Sequence, residues 1–238
     1  MTARACPAAP ADRPWRDTRP RVGLIDGPAS AAWRARLAGH LLTATAGIGP
    51  VGGTIARGHA DDMLDLIDAG CPQAQAILAQ VLDARGHARS TDVARAIDEL
   101  CAQGVDLIHM SLGMRQPCPA VTAACDRALA AGCVLVASAP AQGAAVWPAR
   151  HPGVVAVTGD ARCRPEELAW LDAAHAQFGA HPFWDVSRDP RRGGASHAAA
   201  RFSGRLLALM HATGLDGLAA LALCRDTAAW VGKAVRHA

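Results

Sequence analysis

Short apolar runs alternate along this chain with stretches whose apolar residues recur at helical spacing. Arg21 to Asp26, Arg-Val-Gly-Leu-Ile-Asp, is an apolar run closed by an acid and followed by Gly27-Pro28. That predicts a buried strand ending in a turn. Between Ala60 and Ala69, the residues Met63, Leu64, Leu66 and Ile67 fall on one helical face. Ala76 to Leu82 predicts a second strand. Ser90-Thr91-Asp92 predicts the capped start of an amphipathic helix with Val93, Ile97 and Leu100 on its buried face and Gly104 as its stop. Strands are predicted again at 105–112, 133–138 and 153–158, with a helix over 121–131 between the first two. From Ser196 to Val235 the spacing predicts helix, broken near Gly214.

Strands and helices in alternation predict an α/β fold, a three-layer sandwich whose central sheet is mostly parallel and covered on both faces. In such sheets functional residues collect at the carboxyl ends of strands. Asp26, Ser111 and the Pro140-Ala141 turn occupy such ends.

Composition narrows the class. The chain has 238 residues, 51% of them hydrophobic, enough for one sizeable core. The predicted division is a disordered Pro- and Arg-rich lead-in over 1–20 and a single domain over 21–238. Lys and Arg number 24 against 21 acidic residues, with no dense basic stripe, so no nucleic-acid partner is expected. Eight cysteines include no CxxC pair, which argues against structural zinc. Cys133 and Cys224 lie in apolar runs and read as buried thiols of a reducing compartment. No run of about 18 apolar residues and no signal-peptide core occurs, so a cytoplasmic protein without a membrane partner is expected. Gly47-Ile-Gly49-Pro-Val-Gly52 fits GxGxxG, but it neither follows a strand nor opens a helix, and it reads as a connecting loop.

Four segments carry chemistry. Val22-Gly-Leu-Ile-Asp26-Gly ends a strand in an acid. Gly58-His59 precedes a helix. His-Met-Ser111-Leu-Gly113 ends another strand. Gly194-Ala-Ser196-His-Ala opens a helix that runs past Gly204. In this order, with Trp147-Pro-Ala-Arg-His-Pro-Gly-Val-Val-Ala-Val157 between, they resemble the motifs of the subtilases, the subtilisin-like serine proteases. The resemblance runs from about Val22 to Met210. It implies a catalytic triad of Asp26, His59 and Ser196. A serine hydroxyl needs a base to take its proton, and an acid must orient that base and stabilise its charged form.

The resemblance also implies a peptide-binding cleft between Arg85-Gly86-His87 and Ser111-Leu112-Gly113. Its primary pocket would be walled by Ser111 to Gly113 and by Ser138, Ala139 and Pro140. The oxyanion would be held by the Ser196 backbone and by a side chain from the turn after Ser138. There the family carries an asparagine and this chain has Ala141, with Gln142 next to it. Such a donor is worth on the order of a hundred- to a thousand-fold in rate. His59 is followed by Ala60-Asp61-Asp62 in place of the family's Gly-Thr-His continuation, and Gly-Thr-Ser becomes Gly194-Ala195-Ser196.

No cofactor and no metal site are expected. Only about twenty residues precede the first strand, and no acidic calcium loop is evident. The chain is thus expected to be similar to subtilases that remove leader peptides during maturation. Its partners would be a polypeptide substrate, a modified precursor peptide, and the enzyme that modifies it. The alternative is a pseudoprotease, a subtilase fold that binds peptide without cutting it.

Overall fold

The computed structural model describes residues 19–42, 56–83, 85–142, 144–184 and 193–233. All but the last two residues of the predicted lead-in, and the glycine motif at 47–52, lie outside them.

The core of the molecule is a nine-stranded sheet. In chain order its strands are β1 (Arg21–Asp26), β2 (Gly39–Leu42), β3 (Gln75–Gln80), β4 (Leu107–Met110), β5 (Val134–Ser138), β6 (Val155–Gly159), β7 (Leu168–Ala173), β8 (Ala176–Ala180) and β9 (Trp230–Val231). The spatial order is β2-β3-β1-β4-β5-β6-β8-β7-β9. Pairing is parallel from β2 through β8. Only the β7–β8 hairpin is antiparallel, and β9 pairs in parallel with β7.

Alternation along the strands feeds two cores. Val22 and Leu24 of β1, Leu107 of β4 and Val134 and Val136 of β5 face α2 (Ala56–Gly70) and α5 (Ala195–Thr213). Ile25, Ile108, Leu135 and Ala137 face α3 (Ser90–Ala102) and α4 (Pro119–Ala130). This is the expected three-layer α/β sandwich. A short helix, α1 (Ala31–Arg34), docks on α2 through Trp33 Nε1, which donates to Asp65 at 2.8 Å.

Several local expectations are corrected. The residue that caps α3 is Arg89, with no side-chain cap bond, and Ser90 is already helical. The predicted carboxy-terminal helix is two helices and a strand. Gly214, at φ 70°, ends α5. Next comes α6 (Gly217–Asp226), capped by the Asp216 side chain. Beyond it Ala229 N–H bonds to Leu168 O at 2.9 Å, drawing Trp230 and Val231 onto β7 rather than into a helix. β2 and the β7–β8 hairpin have no counterpart in the sequence reading. Cys71, Cys125, Cys163 and Cys224 are buried free thiols, Cys133 is buried, and Cys101 is disulfide-bonded. No single described helix is long and apolar enough to cross a membrane.

Candidate active site

β1 delivers Asp26 to the carboxyl edge of the sheet, 1% exposed. Its main-chain oxygen accepts from Val81 and Leu82 at 2.9 and 3.2 Å, which fixes the strand end. Its carboxylate accepts the Gly27 N–H at 2.6 Å. Nδ1 of His59 lies 3.0 and 2.9 Å from the two carboxylate oxygens. With Nδ1–H donating to Asp26, Nε2 is left as the basic nitrogen.

His59 is not ahead of the helix, as expected, but its fourth residue. Burial on its own lowers the His59 pKa. The hydrogen bond and charge of Asp26, joined by the charge of Asp62, outweigh it and hold the imidazole above its ordinary value. Asp61 has a different task, accepting the Ser30 N–H at 2.8 Å.

Ser196 is the second residue of α5 and is half-buried. The helix starts at Gly194, whose φ of 134° is open to glycine but strained for other residues. Gly194 N–H bonds to Pro182 O at 2.7 Å, anchoring this start. Gly194 has no side chain to cap the helix, and the first intrahelical bond runs from Ala198 N–H to Gly194 O at 3.2 Å. The N–H groups at the tip, that of Ser196 among them, are therefore aimed outward at the positive end of the helix dipole.

Ser196 and His59 are held by helices that touch backbone to backbone. A Cβ on Gly204 would lie 2.6 Å from Ile67 O and 3.1 Å from the Gly70 Cα. The next residue after Ser196 confirms that the two helix starts converge. His197, 6% exposed, brings Nε2 to 3.5 Å from Asp62 Oδ2. Among the described residues no hydrogen bond joins His59 to Ser196. Nucleophile–base contacts are often long before substrate binds.

Two further histidines surround this centre, and motif reading passed over both. His109, fully buried on β4, receives Ser203 Oγ at 3.0 Å on Nδ1 and meets Ser111 Oγ at 2.6 Å through Nε2. Ser111 in turn donates to Met63 Sδ at 3.2 Å, one helical turn past His59. Burial, and behind it the charge of His59, pushes His109 down to about 3. His197 is held below its ordinary value by burial, and by the charges of His59 and Arg201, against Asp62. Both stand in the sequence within His-Met-Ser and Ser-His-Ala, beside the serines that carry the resemblance.

The expected binding segments divide. Ser111 and Leu112 are half-buried and Gly113 exposed, and the segment is braced by paired bonds between Met114 and Trp147 at 2.7 and 2.9 Å. The other expected edge is not extended. Gly86 has φ 76°, and the Asp83 carboxylate accepts the N–H groups of Arg85 and His87 at 2.8 and 2.9 Å. His87 O is taken by Asp83 N–H at 2.8 Å, so Gly86 and His87 form a closed turn rather than a free strand edge. After β5, Ser138 and Ala139 are buried, Pro140 half-buried, and Ala141 and Gln142 exposed. Ala141 has no side-chain donor to offer, and Gln142 lines a cavity beside β6.

Comparison with known proteins agrees with this fold. The family model of the subtilases matches residues 49–186, a span that includes His59 and stops short of Ser196. No curated protein sequence matches the chain. Among solved structures it is similar to a lanthipeptide protease, with TM-score 0.69 and 17% identity over 90% of this chain and 81% of that one. It is also similar to a serine-to-alanine mutant of the protease domain of PatA, at 0.62 and 19% over 82% and 80%. A third likeness is to the prenylagaramide maturation protease PagA, at 0.61 and 17% over 85% and 80%. The fold and its site define a serine endopeptidase of the subtilisin type. The chain belongs to the subtilase family.

Proposed function

We propose that the chain cleaves one peptide bond of a specific precursor polypeptide, removing a leader segment during maturation. Asp26, His59 and Ser196 would form the triad. The observation that carries this reading is the Asp26–His59 pair at 2.9 Å, set beside a helix tip that bears Ser196. Ser196 Oγ attacks the scissile carbonyl carbon while its proton passes to His59 Nε2. The oxyanion is met by the Ser196 N–H at the helix tip. Collapse breaks the C–N bond as His59 protonates the leaving amine, and water repeats the sequence to free the acyl group.

Precursor processing is supported by the similar structures, one of which is a maturation protease. The sequence also resembles the small subtilase that removes the leader peptide of the cross-linked small subunit of quinohemoprotein amine dehydrogenase. A modified precursor peptide, presented with its modifying enzyme, is the corresponding substrate.

A fluorophosphonate probe is expected to label Ser196, located by peptide mapping, and Ser196→Ala is expected to abolish labelling. The second reading, a peptide-binding pseudoprotease, is favoured by Ala141 at the oxyanion turn. Folded protein that takes up no probe would establish it in place of the first.

A further inference from the structure

A cavity of about 430 Å³ opens at the carboxyl edge of the sheet, beyond the turn that carries Gln142. Gln142, Thr158 and Asp160 line it together with Leu171 and His175 of the β7–β8 hairpin and Lys233, two residues past β9. Thr158 is 3% exposed, and its hydroxyl has no hydrogen-bond partner among the described residues.

The charge in this cavity is one-sided. Asp160 is already neutralised, since Arg162 Nη2 lies 2.7 Å from Oδ2 and Arg162 Nε lies 3.1 Å from Oδ1. The same Arg162 donates to Gly232 O at 2.7 Å and stacks over the Trp230 ring at 5.3 Å. Gly232 N–H bonds Trp170 O at 2.8 Å. These contacts pin the strand end and place the next residue, Lys233, at the rim. Lys233 has no ion-pair partner among the described residues. It is also the single lysine of a chain with 24 Lys and Arg residues in all.

We propose that this cavity is a specificity site for a carboxylate side chain, Asp or Glu, of the polypeptide substrate. Lys233 supplies the charge, with Gln142 as a hydrogen-bond donor and His175 alongside. Asp26 ends β1 and Thr158 lies at the end of β6, three strands away in the same parallel run. At strand spacing that separation is about 14 Å, or roughly four residues of extended peptide. A peptide of that length spans the distance between the two strand ends along the carboxyl edge of the sheet. The inference rests on the proteolytic reading for its substrate, but its test is one of binding.

Reductive methylation with ¹³C-formaldehyde tags only Lys233 and the amino terminus, and it keeps the lysine charge. The Ser196→Ala protein, tagged in this way, is titrated with acetylated alanine-rich hexapeptide amides carrying one Glu at each position in turn, or one Gln. The expected result is a saturable shift of the Lys233 resonance with at least one Glu peptide. Its Gln counterpart should bind at least about fivefold more weakly. By calorimetry, Lys233→Met should reduce the Glu peptide to the Gln level, and Lys233→Arg should restore most of the difference. Equal affinity for Glu and Gln peptides, or an unchanged preference in Lys233→Met, would overturn the proposal. Probe labelling of Ser196 without any Glu preference removes the cavity assignment alone. A Glu preference in protein that takes up no probe keeps the cavity and removes proteolysis.

Discussion

His59 is pulled in two directions, since burial favours its neutral form while Asp26 and Asp62 favour the cation. The carboxylates prevail, so the imidazole titrates above its ordinary range. Serving as base, it must be neutral, and kcat/KM should rise with pH through its pKa in the free enzyme. The charges that face it are Asp26 from β1, Asp62 from its own helix, His109 from β4 and His197 from α5. Asp62→Asn removes one stabilising charge, so the acid limb of the kcat/KM profile should move to lower pH. An unmoved or rising limb would show that Asp62 does not act on His59. His109 bears on stability instead. An unfolded chain protonates this residue below its ordinary value of 6.5, whereas the native one resists down to about 3. The unfolded state therefore binds more protons across that window, and stability present above it is lost as pH falls. The loss is on the order of a few kcal/mol at most. The urea midpoint should fall across this range, and His109→Asn should flatten the fall. Asp26, His59 and Ser196 were legible because each lies at a strand end or in the first turn of a helix with a motif around it. His109 and His197 were not, because their role comes from what packs over them.

Helix α2 carries the proposed base and α5 the proposed nucleophile, and near Gly70 the two helices meet glycine to glycine. Adding a methyl group at Gly204 forces the helices apart, since Ile67 O is backbone and has no rotamer to yield. Gly204→Ala should cost about 1–3 kcal/mol by overpacking. Ser196 lies eight residues earlier on the same rod, about 12 Å along it. The displacement should reach it, and probe labelling of the folded variant should slow by tenfold or more. Leu100→Ala on α3 is the contrast. Leu100 packs under Gly23 on the far face of the sheet, and its truncation should cost about 2–5 kcal/mol without slowing the labelling of folded protein. A labelling rate unchanged in Gly204→Ala would mean that the glycine contact does not set the spacing. Strands with a continuous apolar run, β1, β3, β4, β5 and β6, were readable to within about two residues. Gly39–Leu42 is too short to show a period, and Ala-Trp-Leu and Gln-Phe-Gly in β7 and β8 lack the β-branched residues that mark strands.

The whole molecule is a sheet with an apolar core on each face, and the chain covers the two faces at different times. Helices α3 and α4, the cover of one face, are both made before residue 131, and β5 to β8 then add their residues beneath them. The other face, with Val22, Leu24, Leu107, Val134 and Val136, needs Phe202, Leu206, Leu207 and Met210 of α5. At ordinary synthesis rates the ribosome takes on the order of ten seconds to pass from His59 to Ser196. Through that interval the emerging chain holds Asp26 and His59 but not Ser196, and its second face is covered by α2 alone. The helix that seals this face is the one that brings Ser196. Burial of the last core and assembly of the hydrolytic centre are thus one event. A nascent or partly unfolded copy carries an exposed apolar face for chaperones to grip, yet no assembled centre with which to cut them or itself.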